Sequence, residues 1–600
     1  MKRKILICCG TGCIASGSLE VVRAFKAALL SLGDAGEDIE IEAEIKKTGC
    51  NGFCERGPIV TIKPDDICYY QVKPSDATEI IERLDKEPVE RLMYRTDDGA
   101  RVRSRKENPF YASQLKVALR NIGEIDPGNI GDYISRGGYE ALKKALTMEP
   151  SEIITEVEKS GLRGRGGAGF PTGSKWRAAA GYDDFPKYVV VNGDEGDPGA
   201  FMDRSILEGD PHSVIEGLAI CALAVGAERG FLYIRDEYSL ALEYMRKALE
   251  DAEEAGMIGD SVVGSDKSLK LEIVRGGGAF VCGESTALMA SIEGRAGEPR
   301  AKYIRSVRRG LWDKPTVLNN VETLANIPVI INDSGERFSE IGTKGSKGTK
   351  VFALVGKVKR TGLIEVPMGT TLRKLIFDIG GGVIGGRPFK AVQTGGPSGG
   401  CVPEQLLDLP VDFDTLTEKG AMMGSGGMIV MDDRNCMVEM ARYYVDFLCG
   451  ESCGKCTPCR EGLKQMRDIL TGICSGRGKE GDVELLLEIC ETLSEASLCA
   501  LGKSAPNPVL STIKYFREEY DAHISGLCCP AGVCPELTVF CIDENSCIGC
   551  GLCKKACAAG AVSGSPKAPH KIDKTLCVAC GACREACRAD SVRSERRVRL

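Results

Sequence analysis

The residues in this 600-residue chain whose type and spacing could do chemistry are mostly cysteines: there are 29 of them, against three histidines. Near the C-terminus the pattern C-x2-C-x2-C-x3-C occurs twice with a period of 30 residues, as Cys547, Cys550, Cys553 and Cys557 and then as Cys577, Cys580, Cys583 and Cys587. In this pattern three thiolates wrap one iron–sulfur cube and the fourth crosses to the other cluster. Cys547, Cys550, Cys553 and Cys587 are therefore expected to hold one 4Fe–4S cluster, and Cys577, Cys580, Cys583 and Cys557 a second. Ala558 and Arg588 replace the proline that commonly follows the fourth cysteine, which alters the turn but not the ligand set. A pair of zinc knuckles is the competing reading.

Cys453, Cys456 and Cys459 repeat the two-residue spacing at the start of a helical stretch, and Cys499 is the expected distant fourth ligand of a third 4Fe–4S cluster. At the N-terminus, Cys8 and Cys13 pair with Cys50 and Cys54 as four thiolates on two loops, a set that suits a 2Fe–2S cluster. Cys9 competes with Cys8 for the ligand role, and a thioredoxin-type dithiol is disfavoured because no C-x-x-C is present there. His523, Cys529 and Cys534 lie within twelve residues. Mixed nitrogen and thiolate donors at close spacing suit a tetrahedral zinc, with Cys474 expected as the fourth ligand and Cys528 the alternative to Cys529. The other reading is a cysteine-rich linker without metal.

A second chemistry is written in glycine. Arg163 to Trp176 contains G-x-G-x-x-G, weak evidence alone, and it follows a helical stretch (Ser151–Ser160) where a dinucleotide fingerprint follows a strand. Its glycines can still bring backbone N–H groups close to a phosphate, with Arg165 and Lys175 adding charge. The strand Val189–Asn192 ends in Gly-Asp-Glu-Gly-Asp-Pro-Gly, and Gly276–Thr286 runs a strand into a helix start. Polar groups at strand ends and helix N-termini suit an anionic ligand.

The elements that must position these groups form several domains, since single cores stop growing near ~250–300 residues. Residues 1–90 read as a small α/β unit, with strands Ile5–Cys8 and Ile59–Ile62 and a helix over Leu19–Leu32. Residues 91–115 read as a linker. From 116 to 340, glycine-rich turns alternate with helices and with strands such as Tyr188–Val191 and Phe231–Ile234, which is α/β architecture. Residues 341–434 read as β-rich with one helix near Thr371–Phe377, 435–525 as helical, and 526–600 as a linker followed by the cysteine repeat. A net charge of −7 gives no basic footprint for nucleic acid. No uncharged apolar run reaches membrane-spanning length, and Met1–Cys9 reads as a first strand rather than an export signal. Clustered cysteines in a chain of this kind point to metal ligands in a reducing compartment, the cytoplasm.

Taken together, segments 161–176, 192–204, 276–294, 310–324 and 451–461 closely resemble the NADH-binding flavoprotein subunit of respiratory complex I. They resemble still more the flavin subunit of soluble electron-bifurcating FeFe hydrogenases and related NAD(P)-dependent formate dehydrogenases, which carry the same N-terminal and C-terminal additions. The resemblance implies a multidomain α/β and α+β protein: a thioredoxin-like domain, a Rossmann-like FMN/NAD domain, a ubiquitin-like β-grasp domain, a helical bundle with one 4Fe–4S cluster and a two-cluster ferredoxin module. It implies FMN held by Gly164, Arg165, Gly166, Lys175, Asn192, Asp194, Glu195, Gly283, Glu284, Asn319, Asn320 and Thr323, with nicotinamide stacked near Phe170, Asp197 and Lys302. Ser285 departs from a second glutamate found in many relatives, and Lys302–Arg309 departs from a stretch rich in proline and phenylalanine. Arg305, Arg308 and Arg309 could grip a 2′-phosphate, whereas Asp197 would repel one. NAD(H) is the expected nucleotide, with NADP(H) the alternative.

The implied activity is hydride exchange between NAD(P)H and FMN, with single electrons leaving through one 2Fe–2S and three 4Fe–4S clusters. The implied partners are an iron–sulfur catalytic subunit such as FeFe hydrogenase or formate dehydrogenase, a small 2Fe–2S thioredoxin-like subunit, and ferredoxin. A non-bifurcating diaphorase subunit and an electron-relay scaffold without nicotinamide activity are the alternatives.

Overall fold

The computed structural model describes residues 3–34, 43–301 and 303–597. The chain divides into two compact units, one of residues 1–386 with 393–396 and 405–430, the other of residues 387–392 with 397–404 and 431–600. The segment 341–434 thus contributes to both.

The first unit begins with β1 (Arg3–Cys8), α1 (Ser18–Asp34), β2 (Ala43–Thr48), β3 (Val60–Lys63) and β4 (Ile67–Tyr69). The sheet order is β2-β1-β3-β4; β2 runs parallel to β1, and the other pairs are antiparallel. Strand alternation sends Ile5, Ile7 and Cys9 into a core with Val21, Val22 and Phe25 of α1, so Cys8 points to the opposite face. The sequence signal missed β2, whose Ala-Glu-Ile-Lys-Lys-Thr lacks an apolar face because it is a half-exposed edge strand. The 91–115 stretch, expected as a linker, is packed. Phe110 is buried and stacks on Phe53 at 4.3 Å, and the Asn108 amide donates to the Tyr70 hydroxyl at 2.9 Å.

The larger part of this unit holds α2 (Pro150–Lys159), α3 (Thr172–Ala180), β5 (Tyr188–Gly193), α4 (Met202–Gly209), α5 (Pro211–Val225), β6 (Arg229–Arg235), α6 (Ser239–Glu254), β7 (Lys270–Gly276), α7 (Ser285–Ile292), β8 (Thr316–Asn320) and α8 (Val321–Asn332). Its four strands are all parallel, in the order β8-β5-β6-β7. β5 is the near-continuous apolar run Tyr-Val-Val-Val because parallel strands are covered on both faces. The chain passes from β5 outward to β7 and then returns to the other side of β5 for β8. The strand order therefore reverses between β5 and β8, and ligands of open α/β sheets bind outside the carboxyl ends of such a switch point. A hairpin, β9 (Thr349–Gly356) with β10 (Gly362–Pro367), follows.

The second unit contains the helices α9 (Met437–Glu451), α10 (Thr457–Cys474), α11 (Asp482–Ala496) and α12 (Asn507–Ile524). A small module follows: β11 (Thr538–Ile542), α13 (Leu552–Ala556), α14 (Ala582–Glu585) and β12 (Val592–Arg596), with β11 and β12 antiparallel. Among the described residues no helix is long and apolar enough to cross a membrane.

The parallel-sheet domain depends on α5 lying close against α8. At Gly217 an added Cβ would come within 2.2 Å of the Leu324 carbonyl oxygen, a backbone atom that cannot swing aside. Gly217→Val is expected to destabilise by ~2 kcal/mol or more and to lower the thermal midpoint of this domain by on the order of 5 °C, read by calorimetry; an unchanged midpoint would contradict this packing.

Candidate flavin site and metal centres

The glycine loop joins α2 to α3 as a closed turn. The Gly164 N–H donates to the Phe170 carbonyl at 2.9 Å, the Thr172 N–H to Leu162 at 2.9 Å, and the Arg163 Nε to the Gly169 carbonyl at 2.6 Å. Gly167 and Gly169 hold φ of +119° and +61°, a region that favours glycine. Gly166 lies against β8, where a Cβ would sit 3.1 Å from the Asn320 Cβ. The loop therefore lies at the strand ends of the switch point, with the N-terminus of α3 directly behind it.

Several residues singled out from the sequence converge there. Asn192 and Asn320 are partners in the β5–β8 register. The Asn192 amide donates to the Gly283 carbonyl at 2.9 Å and its oxygen accepts the Asp194 N–H at 3.0 Å. The Thr323 hydroxyl accepts the Arg165 N–H at 2.8 Å, and Asn320 caps α8 through the Thr323 N–H. Lys175 donates to the Leu318 carbonyl of β8 at 2.8 Å. Asp194 is 3.2 Å from the Arg235 guanidinium.

Two carboxylates serve helix starts. Glu195 accepts the backbone N–H groups of Met202, Asp203 and Arg204 at the head of α4, and its burial raises its pKa. Glu284 caps α7 through Thr286 and Ala287. Asn319 is buried with its amide 3.9 Å from the Cys221 sulfur.

Arg165 requires a correction. Its side chain is fully buried, and its guanidinium donates to the carbonyls of Arg163, Lys347 and Thr349, with Glu322 at 4.0 Å. It is a strut that fixes the loop, not a charge offered to a phosphate, because a desolvated guanidinium must spend its donors on protein acceptors. Phe170 remains two-fifths exposed, with the Arg305 guanidinium 5.6 Å from its ring centre. Asp197 accepts from the Ser425 hydroxyl at 2.6 Å, and burial pushes its carboxyl up to about 6. Lys302 lies outside the described residues.

The cysteines gather into separate groups. At the N-terminus, thiol contacts link Cys13 to Cys8, Cys8 to Cys50 and Cys50 to Cys54. The Asn51 N–H points to the Cys8 sulfur at 3.4 Å. Cys9 faces the core instead, with the Ser18 hydroxyl 3.8 Å away, and burial pushes its thiol up to about 11. The choice left open by sequence thus falls on Cys8.

In the helical bundle, Cys459 feels the charges of Cys456, Cys499 and Cys453, and Cys456 and Cys499 each precede a helix start. In the C-terminal module, Cys547, Cys550, Cys553 and Cys587 line one small cavity, and Cys583 faces Cys577, Cys580 and Cys557. The crossing of Cys557 and Cys587 between the two groups is present.

A further cluster joins Cys436, His523, Cys529 and Cys534, all buried, with ligand atoms within 4.8 Å of one another. The His523 Nδ1 lies 2.6 Å from the Glu519 carbonyl and so carries the proton. The Nε2 is thereby turned toward Cys436 at 3.4 Å and Cys534 at 3.3 Å, and the Cys534 and Cys436 sulfurs are 3.8 Å apart. A tetrahedron with Zn–S of ~2.3 Å and Zn–N of ~2.0 Å has edges of about 3.8 Å between sulfurs and about 3.5 Å from nitrogen to sulfur. Hydrogen bonds from Cys436 and Cys534 hold the Cys529 thiol far below its ordinary range. The fourth corner is Cys436, not the expected Cys474, which instead bonds the Cys534 thiol from outside the set. Sequence reading missed Cys436 because it stands alone, 87 residues before His523.

Comparison with known proteins agrees with this geometry. Residues 157–329 match the Nuo51 FMN-binding domain, 439–523 the NADH-ubiquinone oxidoreductase-F iron-sulfur binding region, and 1–85 the thioredoxin-like [2Fe-2S] ferredoxin. The chain is 53% identical over 457 residues, 76% of its length and 93% of the relative's, to the NADP-reducing hydrogenase subunit HndC of Solidesulfovibrio fructosivorans. The chain belongs to the family of NADH-binding flavoprotein subunits. It is also 46% identical over 69% of its length to an NADH-quinone oxidoreductase subunit of Rhizobium meliloti (strain 1021), of which it covers 99%. The crystal structure of an air-oxidized NAD+-reducing [NiFe]-hydrogenase matches with a TM-score of 0.61 at 29% identity, covering 87% of this chain and 85% of that one.

This flavoprotein therefore has FMN-binding, 4Fe–4S and thioredoxin-like 2Fe–2S domains. Its switch-point cleft fits a flavin phosphate. The loop glycines place no side chains over the strand ends of β5 and β8, and Lys175 lies near the start of α3, which follows the loop.

The contrast between Cys8 and Cys9 gives a direct test in the full chain. Cys8→Ala is expected to abolish the 2Fe–2S absorption and EPR signal, while Cys9→Ala retains both; loss of the signal only in Cys9→Ala would reverse the ligand assignment.

Proposed function

We propose that this chain exchanges hydride with a nicotinamide nucleotide at the switch-point cleft between β5 and β8. Electrons then leave one at a time through one 2Fe–2S and three 4Fe–4S clusters to partner subunits. The observation that carries this reading is the coexistence, in one chain, of a glycine loop against the strand ends of a switch point and four gathered sets of thiols. Bound FMN supplies the interchange between two-electron hydride chemistry and single-electron transfer.

The chain's own residues hold and shield the reactants. The loop glycines and Lys175 take the phosphate, while Asn192, Asp194, Gly283 and Asn320 form the strand-end wall. Phe170 offers an exposed ring face on which a nicotinamide can stack. Glu195 and Glu284 fix the helices that frame the wall. Hydride transfer needs no proton acceptor, so no general base is assigned.

The partners in this reading are an iron–sulfur catalytic subunit of FeFe hydrogenase or formate dehydrogenase type, a small thioredoxin-like 2Fe–2S subunit, and ferredoxin. They form a cytoplasmic, electron-bifurcating complex. The relative named as a hydrogenase subunit supports the hydrogenase form.

Purified holoprotein should contain about one FMN and about 14 irons per chain. It should reduce viologen with NADH, at a higher kcat/KM than with NADPH. Gly166→Val should lose most FMN and most turnover but keep its iron, because the new side chain presses on Asn320. Eight irons or fewer would refute the cluster set, absence of turnover would favour a relay scaffold, and a clear preference for NADPH would reverse the nucleotide choice.

The Cys436, His523, Cys529 and Cys534 set supports a second reading, a structural zinc that pins the start of the 526–536 segment to the helical bundle. A four-donor site with no open position suits structure rather than catalysis. Elemental analysis should find about one zinc per chain, lost in His523→Ala and in Cys436→Ala but kept in Cys474→Ala. Protein with full iron and no zinc would refute it.

A further inference from the structure

The two halves of the C-terminal module are related by the 30-residue repeat, yet their surroundings are not. Gly551 and Gly581 are equivalent positions, each following the second cysteine of its run. An added Cβ at Gly551 would lie 3.7 Å from the His570 Nε2, and one at Gly581 would lie 3.9 Å from the Phe540 ring. His570 and Phe540 are themselves one repeat apart. The same structural place is thus an imidazole beside the Cys547 group and a phenyl ring beside the Cys577 group.

A second pair breaks the symmetry in charge. Lys554 follows Cys553 and lies exposed, its ammonium 3.1 Å from the Gly564 carbonyl. Its counterpart, Arg584, follows Cys583 and is 8% exposed. The Arg584 guanidinium stands 5.3 Å from the centre of the Phe540 ring and donates to the Ala531 carbonyl at 3.1 Å. Its Nε has no hydrogen-bond partner; Arg434 and Arg387 repel it, while Glu585 and Asp432 attract it without forming a direct ion pair among the described residues.

A buried cation that forms no direct ion pair is costly, and a negative charge nearby lowers that cost. A 4Fe–4S cluster bound by four thiolates is anionic when oxidised and gains a further negative charge on reduction. Its potential responds to nearby charge, hydrogen bonds and solvent exposure. The corresponding lysine beside the Cys547 group, Lys554, is exposed to water, where its field is screened. The His570 Nδ1 lies 3.1 Å from the Ala568 carbonyl.

We propose that Arg584 makes the two C-terminal clusters unequal, so that an electron shared between them rests at least about tenfold more often on the Cys577, Cys580, Cys583 and Cys557 cluster. This rests on the two-cluster reading above and assigns Arg584 as a positioning residue of the electron, not a ligand. A tenfold preference for one electron corresponds to about 59 mV between the clusters.

The test is an EPR-monitored potentiometric titration of the full chain, with the Cys577-site signal identified by its change in Cys580→Ser. Arg584→Gln should lower that cluster's midpoint by about 59 mV, a tenfold effect, with iron content unchanged. Arg584→Lys should keep the wild-type midpoint, and Lys554→Gln should move neither cluster. If Arg584→Gln retains its iron and leaves both midpoints in place, the assignment is overturned while the two-cluster reading stands. If Cys580→Ser and Cys550→Ser both leave iron content and signals unchanged, the two-cluster reading fails, and this inference with it. Should Arg584→Gln fail to accumulate, Arg584→Met provides the same neutralisation, judged by the same midpoints.

Discussion

The interaction on which the rest of this molecule depends is repulsion between thiolates brought close together, which a bound metal relieves. A thiol withdrawn from water resists ionisation, and a second thiolate beside it resists further. The chain nevertheless gathers thiols on tight loops and at helix starts: Cys456 and Cys499 immediately before helices, and Cys8 and Cys50 at strand ends. These are places where backbone N–H groups point outward and favour negative charge. The Asn51 and Gly52 N–H groups aimed at the Cys8 and Cys50 sulfurs show this at single positions. Buried cysteines elsewhere, such as Cys221 and Cys490, lie on helices among apolar neighbours and pack as small hydrophobes.

The flavin domain meets a different constraint with the same device. In the proposed reading a phosphate needs donors that do not require a mobile side chain, and the place where the strand order of the parallel sheet reverses suits such a ligand. There the ends of β5 and β8 bring Asn192 and Asn320 side by side, and the glycine loop closes on Asn320. The charged side chains beneath this wall serve its rigidity. Glu322 and Lys350 form a fully buried ion pair under β9, Arg165 ties the loop to Lys347 and Thr349, and Glu195 holds the head of α4. Breaking such a buried network leaves an uncompensated charge, so it fixes geometry more than it adds stability.

Much of this was legible in the sequence wherever function is written locally. Cysteine spacing suggested the 4Fe–4S sets because three of the expected ligands of each share a short loop, and the expected crossing of Cys557 and Cys587 follows from the same spacing. Apolar runs marked β5 and β6, and the helix before the glycine loop was evident from Ser151 to Ser160. The family resemblance, carried by long motifs, supplied the flavin residues. Other features belong to tertiary structure alone. Strand alternation decided Cys8 over Cys9, since a one-residue step on β1 reverses the face. Burial turned Arg165 from a phosphate ligand into a strut. Folding brought Cys436 to His523 across 87 residues, a contact that no local spacing encodes. The inequality of two halves with the same cysteine pattern depends on where Phe540, His570, Lys554 and Arg584 come to rest. The reason is general: spacing specifies what a loop can bind, whereas exposure and the choice of neighbour are set only when distant segments pack.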